Sequence, residues 1–205
     1  MPNRVRVFAP SSTSNLGPGF DVLGLALLKP GDIVEVELSE TPGVEIVEIT
    51  GDGGVLPRDS QKNVASIAAG DVLRRLDGLE AEEPHRRGVR LWLHKQTPLG
   101  SGLGSSGASA VGGAVAVNEL FDAPLSRYDL VASALVGERA ASGTPHADNV
   151  APSLLGGIVL VRSYDPLELI NLPVPKELWV IVVHPHCSVS TAAARELTAG
   201  RTYAL

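Results

Sequence analysis

A run of glycine and serine feeding straight into a helix of small residues constrains this 205-residue chain more than any other segment. The run comprises Pro98, Leu99, Gly100, Ser101, Gly102, Leu103, Gly104, Ser105, Ser106, Gly107, Ala108 and Ser109. Its alternating glycines let the backbone take positive φ and let successive N–H groups converge on an anion. A helix starting there adds unpaired N–H groups and about half a positive charge from its dipole. Ser105 and Ser106 supply hydroxyls that can bond phosphate or ligate Mg²⁺. Ala108, Gly112 and Ala116 recur at helical spacing beside Val111, Val115 and Val117, which describes a helix packed closely against neighbours instead of a flexible tether.

Two other glycine-loop chemistries fit less well. Gly102, Gly104 and Gly107 match G-x-G-x-x-G, but a dinucleotide fold needs a buried parallel strand leading directly into the turn. Here residues 89–93 alternate apolar with Arg90 and Trp92, and Pro98 interrupts the approach. No lysine follows the glycines, so the lysine-bearing P-loop is excluded as well.

The formal charge of −6, with no basic block beyond the pairs Arg74-Arg75 and Arg86-Arg87, argues against nucleic acid as a partner. A single cysteine, Cys187, rules out an internal disulfide and suits a reducing compartment. The first residues carry no apolar signal core, and the apolar part of the post-loop helix is too short for a membrane span, so the expectation is a cytoplasmic protein. Along the chain, residues 4–9 read as a strand, 10–19 as a turn-rich stretch, 32–38 as a half-exposed strand and 44–49 as its partner. Residues 62–76 form an apolar-striped helix, and 126–141 a second one capped by Ser126 with Asp129 as a near capping box. Residues 154–161 and 178–184 read as buried strands. Strands cluster early and helices follow, which predicts an α+β fold.

Polar residues in apolar company mark the chemistry. Glu138 lies seven residues after Val131, four after Ala134 and three after Leu135, on the apolar face of its helix. Such a carboxylate either reaches solvent at the helix end or serves as a Mg²⁺ ligand opposite the phosphate loop. Residues 142–152, with His146, Asp148 and Asn149, read as a polar loop that either caps its own turns or carries binding groups. His184, His186 and Cys187 lie close together, yet a structural zinc needs four ligands and no second cysteine exists.

Four segments in order carry a family resemblance: Ala9 to Ala26 with Asn15 and Asp21, the glycine loop, His146 to Pro152, and Ser188 to Arg195. Together they resemble the GHMP kinases and, within them, the homoserine kinase family. The resemblance implies a ribosomal-protein-S5-domain-2-like amino-terminal domain over residues 1–165 and the start of a ferredoxin-like domain over 166–205. It implies ATP and Mg²⁺ as cofactors, L-homoserine as substrate, and O-phospho-L-homoserine, a step toward threonine, as product. By resemblance, Gln96 through Ser106 would wrap the phosphates while Asn63 and Lys95 lie near the nucleoside. Ser106 and Glu138 would hold Mg²⁺, and Asn15, Asp21, Asn149, Thr191 and Arg195 would hold homoserine. Asn149 would orient the reacting hydroxyl. With Thr191 where some relatives carry an aspartate, catalysis by positioning and charge neutralisation is expected. The family continues for on the order of 100 residues past Arg195, whereas this chain stops at Leu205. That stop predicts an exposed apolar patch at Trp179, Ile181 and Val183 and association into dimers or aggregates. The alternatives are a nucleotide-binding fragment without activity and a GHMP kinase for another small alcohol.

Overall fold

The structure, a computed structural model, describes residues 3–78 and 86–184. It is α+β, with one six-stranded sheet and four helices among the described residues. The hub is β2 (Gly19–Ser39), a 21-residue strand. β1 (Arg4–Leu16) runs antiparallel along it, Ile33–Ser39 pair with β4 (Gly88–His94), and Leu23–Leu25 pair with β5 (Ile158–Tyr164). β3 (Gly43–Thr50) and β6 (Leu167–Leu172) complete the two wings, giving the order β3-β4-β2-β5-β6 with β1 beside β2.

Period-two alternation sorts the two faces of this sheet. Val34, Val36, Val89, Leu91 and Leu93 are fully buried beneath the helices. On the other face Arg4 pairs with Glu35 at 2.9 Å and stacks 4.4 Å above the Trp92 ring, Arg90 pairs with Glu37, and His94 bonds Glu35 at 3.1 Å. These exposed pairs keep the outer face wetted and contribute little stability each.

The helical layer is built from α1 (Val64–Asp77), α2 (Ser105–Leu120), α3 (Arg127–Ser142) and α4 (Ala147–Leu155). α3 starts at Ser126 with a full reciprocal capping box to Asp129, as its sequence predicts. α2 is buried almost all round and occupies the centre, against α1, α3, β1 and β2. Its small residues permit this: a Cβ on Gly113 would strike the Ala65 carbonyl of α1, and one on Gly112 would strike the Val34 side chain.

Several sequence expectations change here. Residues 10–16 are strand, not turn, because pairing with 19–31 satisfies their backbone and overrides the weak strand propensity of serine and asparagine. Only Gly17 and Pro18 remain as the turn. β3 pairs in parallel with β4, not with residues 32–38, since α1 supplies the crossover that parallel neighbours require. The supposed loop over 142–152 becomes helix from Ala147, with Ala147, Val150 and Ala151 buried at helical spacing, and the strand expected at 154–161 begins at Ile158. The boundary expected at 165/166 coincides with the turn of the β5–β6 hairpin, where Tyr164 pairs with Leu167. Residues 178–184 form no strand; Trp179 and Ile181 are each 89% exposed, so the expected burial fails while the expected apolar exposure is present. No helix among the described residues is long and apolar enough to cross a membrane.

Gly113→Ala separates packing from helix propensity. Propensity alone would make alanine more stable by about 1 kcal/mol, whereas overpacking against a backbone carbonyl costs about 1–3 kcal/mol. Urea unfolding is expected to show a destabilised variant; a stabilised one would mean that α1 and α2 are not in close contact.

Candidate active site

Three backbone segments meet at the amino terminus of α2. The Ser12 amide of β1 donates to the Leu103 carbonyl of the loop at 3.1 Å. The Ser12 hydroxyl donates to Asn149 Oδ1 at 3.1 Å, and Asn149 Nδ2 donates to Ser14 Oγ at 3.2 Å, which ties α4 to β1. Gly104 sits in the gap with φ 59°, and a Cβ there would run into Ser12 Oγ and lie 2.7 Å from Asn149 Oδ1. It is the N-cap of α2, and no side chain caps the helix. The first-turn N–H groups therefore keep their capacity for an anion. Gln96, Pro98, Leu99, Gly100, Gly102 and Ser106 are exposed around this end, while Leu103 is buried and anchors the loop. Ser101 shapes the loop from within, its hydroxyl donating to the Pro98 carbonyl at 2.7 Å, and Ser105 Oγ donates to the Thr97 carbonyl at 3.2 Å.

A buried ion pair lies beneath the loop. Asp32 of β2 accepts the Gln96 and Thr97 amides at 3.1 and 3.0 Å on Oδ1, and Lys95 Nζ together with Ser109 Oγ on Oδ2. Lys95 also donates to the Ser105 carbonyl and to Ser109 Oγ, both at 2.8 Å. Burial pulls the Lys95 ammonium below its ordinary range, with Asp32 opposing.

Glu138 projects from α3 toward the same helix end and is 2% exposed. Desolvation holds its carboxyl above the ordinary 4.5; a hydrogen bond from Ser106 pulls it down, the Asp148 charge pushes it up, and Lys95 pulls it down again. Asp148, buried in the first turn of α4, is likewise raised by desolvation, opposed by Ser14 and His146 and reinforced by Asp21. A Cβ on Gly24 would collide with the Asp148 carbonyl, so the glycine is what lets α4 lie against β2. Beyond Asp148, a cavity of about 200 Å³ is lined by Asp21, Thr144, Pro145, His146 and Tyr164. Asn15 and Asp21 flank the β1–β2 turn with φ of 57° and 58°, and Asn15 Oδ1 accepts the Asp21 amide at 2.8 Å. Non-glycine residues held in this left-handed region carry strain that clusters at ligand sites.

Sequence-expected residues divide into three groups. The fold brings Ser106, Glu138 and Asn149 to the loop and sets Asp21 at the rim of the cavity. Asn63 and Lys95 have structural duties: Asn63 caps α1 by accepting the Ala65 amide at 3.0 Å while its amide donates to the Pro57 carbonyl, and Lys95 is turned inward. Thr191 and Arg195, with His186 and Cys187, lie outside the described residues. Reasoning from the sequence missed Asp32, although its even spacing with Val34 and Val36 places it on the buried face of the same strand. Ser12 and Ser14 give no such signal, because a serine-rich stretch reads as turn.

Mg²⁺ takes oxygen ligands, typically one or two carboxylates plus phosphate and water. The Ser106 hydroxyl beside the Glu138 carboxylate at the amino-terminal end of α2 fits that donor set. No group of three or more His, Cys, Asp or Glu able to hold a metal occurs among the described residues, so a dedicated protein cage is not built there.

Residues 63–157, the loop and the helices around it, match the GHMP kinases N terminal domain. That match takes in the glycine loop and α1 to α4, the part of the chain that forms most of the site. The chain is 45% identical over 199 residues to the homoserine kinase of Chlorobium phaeobacteroides strain BS1, covering 93% of this chain and 60% of that protein. The crystal structure of homoserine kinase from Cytophaga hutchinsonii superimposes with a TM-score of 0.87 at 48% identity, over 96% of this chain and 60% of that one. Mevalonate kinase of Methanococcus jannaschii shares the fold, with a TM-score of 0.62 at 13% identity over 83% of this chain and 56% of that one. The chain thus spans about 60% of the length of the homoserine kinases it matches.

The raised carboxyls of Glu138 and Asp148 make stability fall as pH rises. Below their ordinary values of 4.5 and 3.8 both groups are protonated folded or unfolded. Above those values the unfolded chain releases the protons first, and the folded state is progressively penalised up to the shifted values. Glu138→Gln is expected to gain stability relative to the parent between pH 4.5 and pH 7.5, measured by urea unfolding without ligands. A parent-to-variant difference that does not change with pH would remove Glu138 as a desolvated acid.

Proposed function

We propose that the protein transfers the γ-phosphoryl group of ATP to the side-chain hydroxyl of L-homoserine, giving O-phospho-L-homoserine and ADP, on the way to threonine. The observation that carries this reading is the convergence of Ser106, Glu138 and Asn149 on the uncapped amino terminus of α2, in a chain 45% identical to a homoserine kinase.

In this reading the glycine-loop amides and the first turn of α2 bind the phosphates. Ser106 and Glu138 hold Mg²⁺, which supplies charge neutralisation on the phosphates. Three acidic side chains, Glu138, Asp148 and Asp21, interact electrostatically in series from the loop to the cavity. That series attracts cations: the metal at one end and the amino group of homoserine at Asp21 at the other. Asn15 holds the Asp21 backbone in place. Asn149 uses one N–H on Ser14 and keeps its second for the substrate hydroxyl oxygen. The hydroxyl oxygen attacks the γ-phosphorus, the bond to the β–γ bridging oxygen breaks, and ADP leaves. The hydroxyl proton passes to an oxygen of the transferred group or to water, so positioning and electrostatics do the work. Thr191 and Arg195 complete the homoserine site in this reading, with Arg195 pairing the substrate carboxylate.

The direct test is homoserine-dependent ADP release in a coupled assay, with the product identified by mass. Ser106→Ala and Glu138→Gln are each expected to lower turnover at least tenfold, about 1.4 kcal/mol in the barrier, and to change its Mg²⁺ dependence. Unaltered Mg²⁺ dependence in both would reject the metal assignment. Asp21→Asn is expected to raise the KM for homoserine far more than that for ATP. An equal rise in both would assign Asp21 to the fold instead of the substrate.

A further inference from the structure

We propose that Asp32 is the positioning residue of the nucleotide loop, clamping its two ends together from below, and that Lys95 serves this clamp without touching the nucleotide. The proposal rests on the reading of the loop as a phosphate cradle. Residues 96–104 leave β4 and return to α2, so their curvature depends on what holds the neck closed. Within the loop the glycines contribute no side chains, and the contacts are Ser101 with Pro98 and Leu103 and the Ser12 amide with the Leu103 carbonyl.

At the neck the bonds are dense. Asp32 Oδ1 fixes the outgoing segment through the Gln96 and Thr97 amides, and Oδ2 fixes α2, one turn in from its start, through Ser109 Oγ at 2.8 Å. Lys95 Nζ bridges the same two sides, reaching Asp32, the Ser105 carbonyl and Ser109 Oγ. An ammonium has three donor hydrogens, and these three acceptors account for all of them. Its side chain is 2% exposed, and that of Asp32 is fully buried. Ser105 Oγ to the Thr97 carbonyl and Ser11 Oγ with Thr97 Oγ1 at 2.6 Å add two further ties at the same level. A carboxylate that receives two amides from one end of a loop and a hydroxyl from the other sets the distance between those ends. The direction in which the loop amides point follows from that distance, and a misplacement of the order of 1 Å in such a cradle costs about 100-fold in rate.

The test uses the full chain and four variants: Asp32→Asn, Ser109→Ala, Lys95→Met and the double variant Asp32→Asn/Lys95→Met. ADP affinity is measured by calorimetry, and amide hydrogen exchange is followed by mass spectrometry across residues 88–105. Asp32→Asn is expected to weaken ADP by about tenfold or more and to speed exchange in residues 96–105 while Gly88–His94 stay protected. Its KM for ATP should rise while that for homoserine moves by less than about threefold. The double variant removes the unpaired buried cation and is expected to recover thermal stability without recovering ADP affinity, an outcome that a purely structural ion pair would not give. If Asp32→Asn does not fold, Ser109→Ala, which keeps the ion pair, is expected to show the same faster loop exchange. Unchanged ADP affinity and loop exchange in folded Asp32→Asn, or in Ser109→Ala where that variant is needed, overturns the clamp. Lost affinity in Lys95→Met alone, with the other single variants like the parent, assigns Lys95 to the nucleotide and overturns it too. A parent chain that binds no ADP rejects the phosphate-cradle reading, while the exchange data still decide the clamp.

Discussion

An ionised aspartate taken out of water loses several kcal/mol of hydration, and burial persists only where hydrogen bonds and a counter-charge offset that loss. Asp32 meets both conditions: two amides, a hydroxyl and the Lys95 ammonium surround it. The partners belong to β4, the glycine loop and α2, which are separate in sequence and joined at this carboxylate. Neither glycine flexibility nor the helix dipole fixes where the loop lies. The buried pair does, and the open amino terminus of α2 acquires its orientation from it.

A second constraint is space. α2 runs through the middle of the helical layer, and glycines at 104, 112 and 113 stand where Ser12, Val34 and the Ala65 carbonyl come too near for a side chain. Close approach is what lets Asn149 of α4 reach Ser12 and Ser14 of β1. The same economy of volume puts α4 against Gly24, and with it Asp148 near Asp21. Packing in this layer therefore decides which polar groups meet.

Charge is arranged in two zones. Amides and a helix dipole at the loop favour an anion, while Glu138, Asp148 and Asp21 run from the loop toward the cavity as an acidic series. Desolvation raises the carboxyls of Glu138 and Asp148, and Lys95, which opposes the rise at Glu138, is already engaged with Asp32. Ligands that bring a phosphate, a divalent metal and an ammonium together complement both zones. This complementarity connects the fold to a phosphotransferase reading.

Local physics was enough for the loop, for the capping box of α3 and for the inward face of Glu138, because each depends on residues within a few positions of one another. Alternation gave the buried face of residues 32–38, and with it the place, though not the role, of Asp32. Whatever depends on partners distant in the chain was decided by tertiary structure. Residues 10–16 became strand because β2 offered a ladder, and residues 178–184 did not because no described strand lies beside them. By the family resemblance Lys95 would lie near the nucleoside. In the folded chain Asp32, 63 residues away, turns it inward, since a buried carboxylate competes for an ammonium more strongly than a solvated site does.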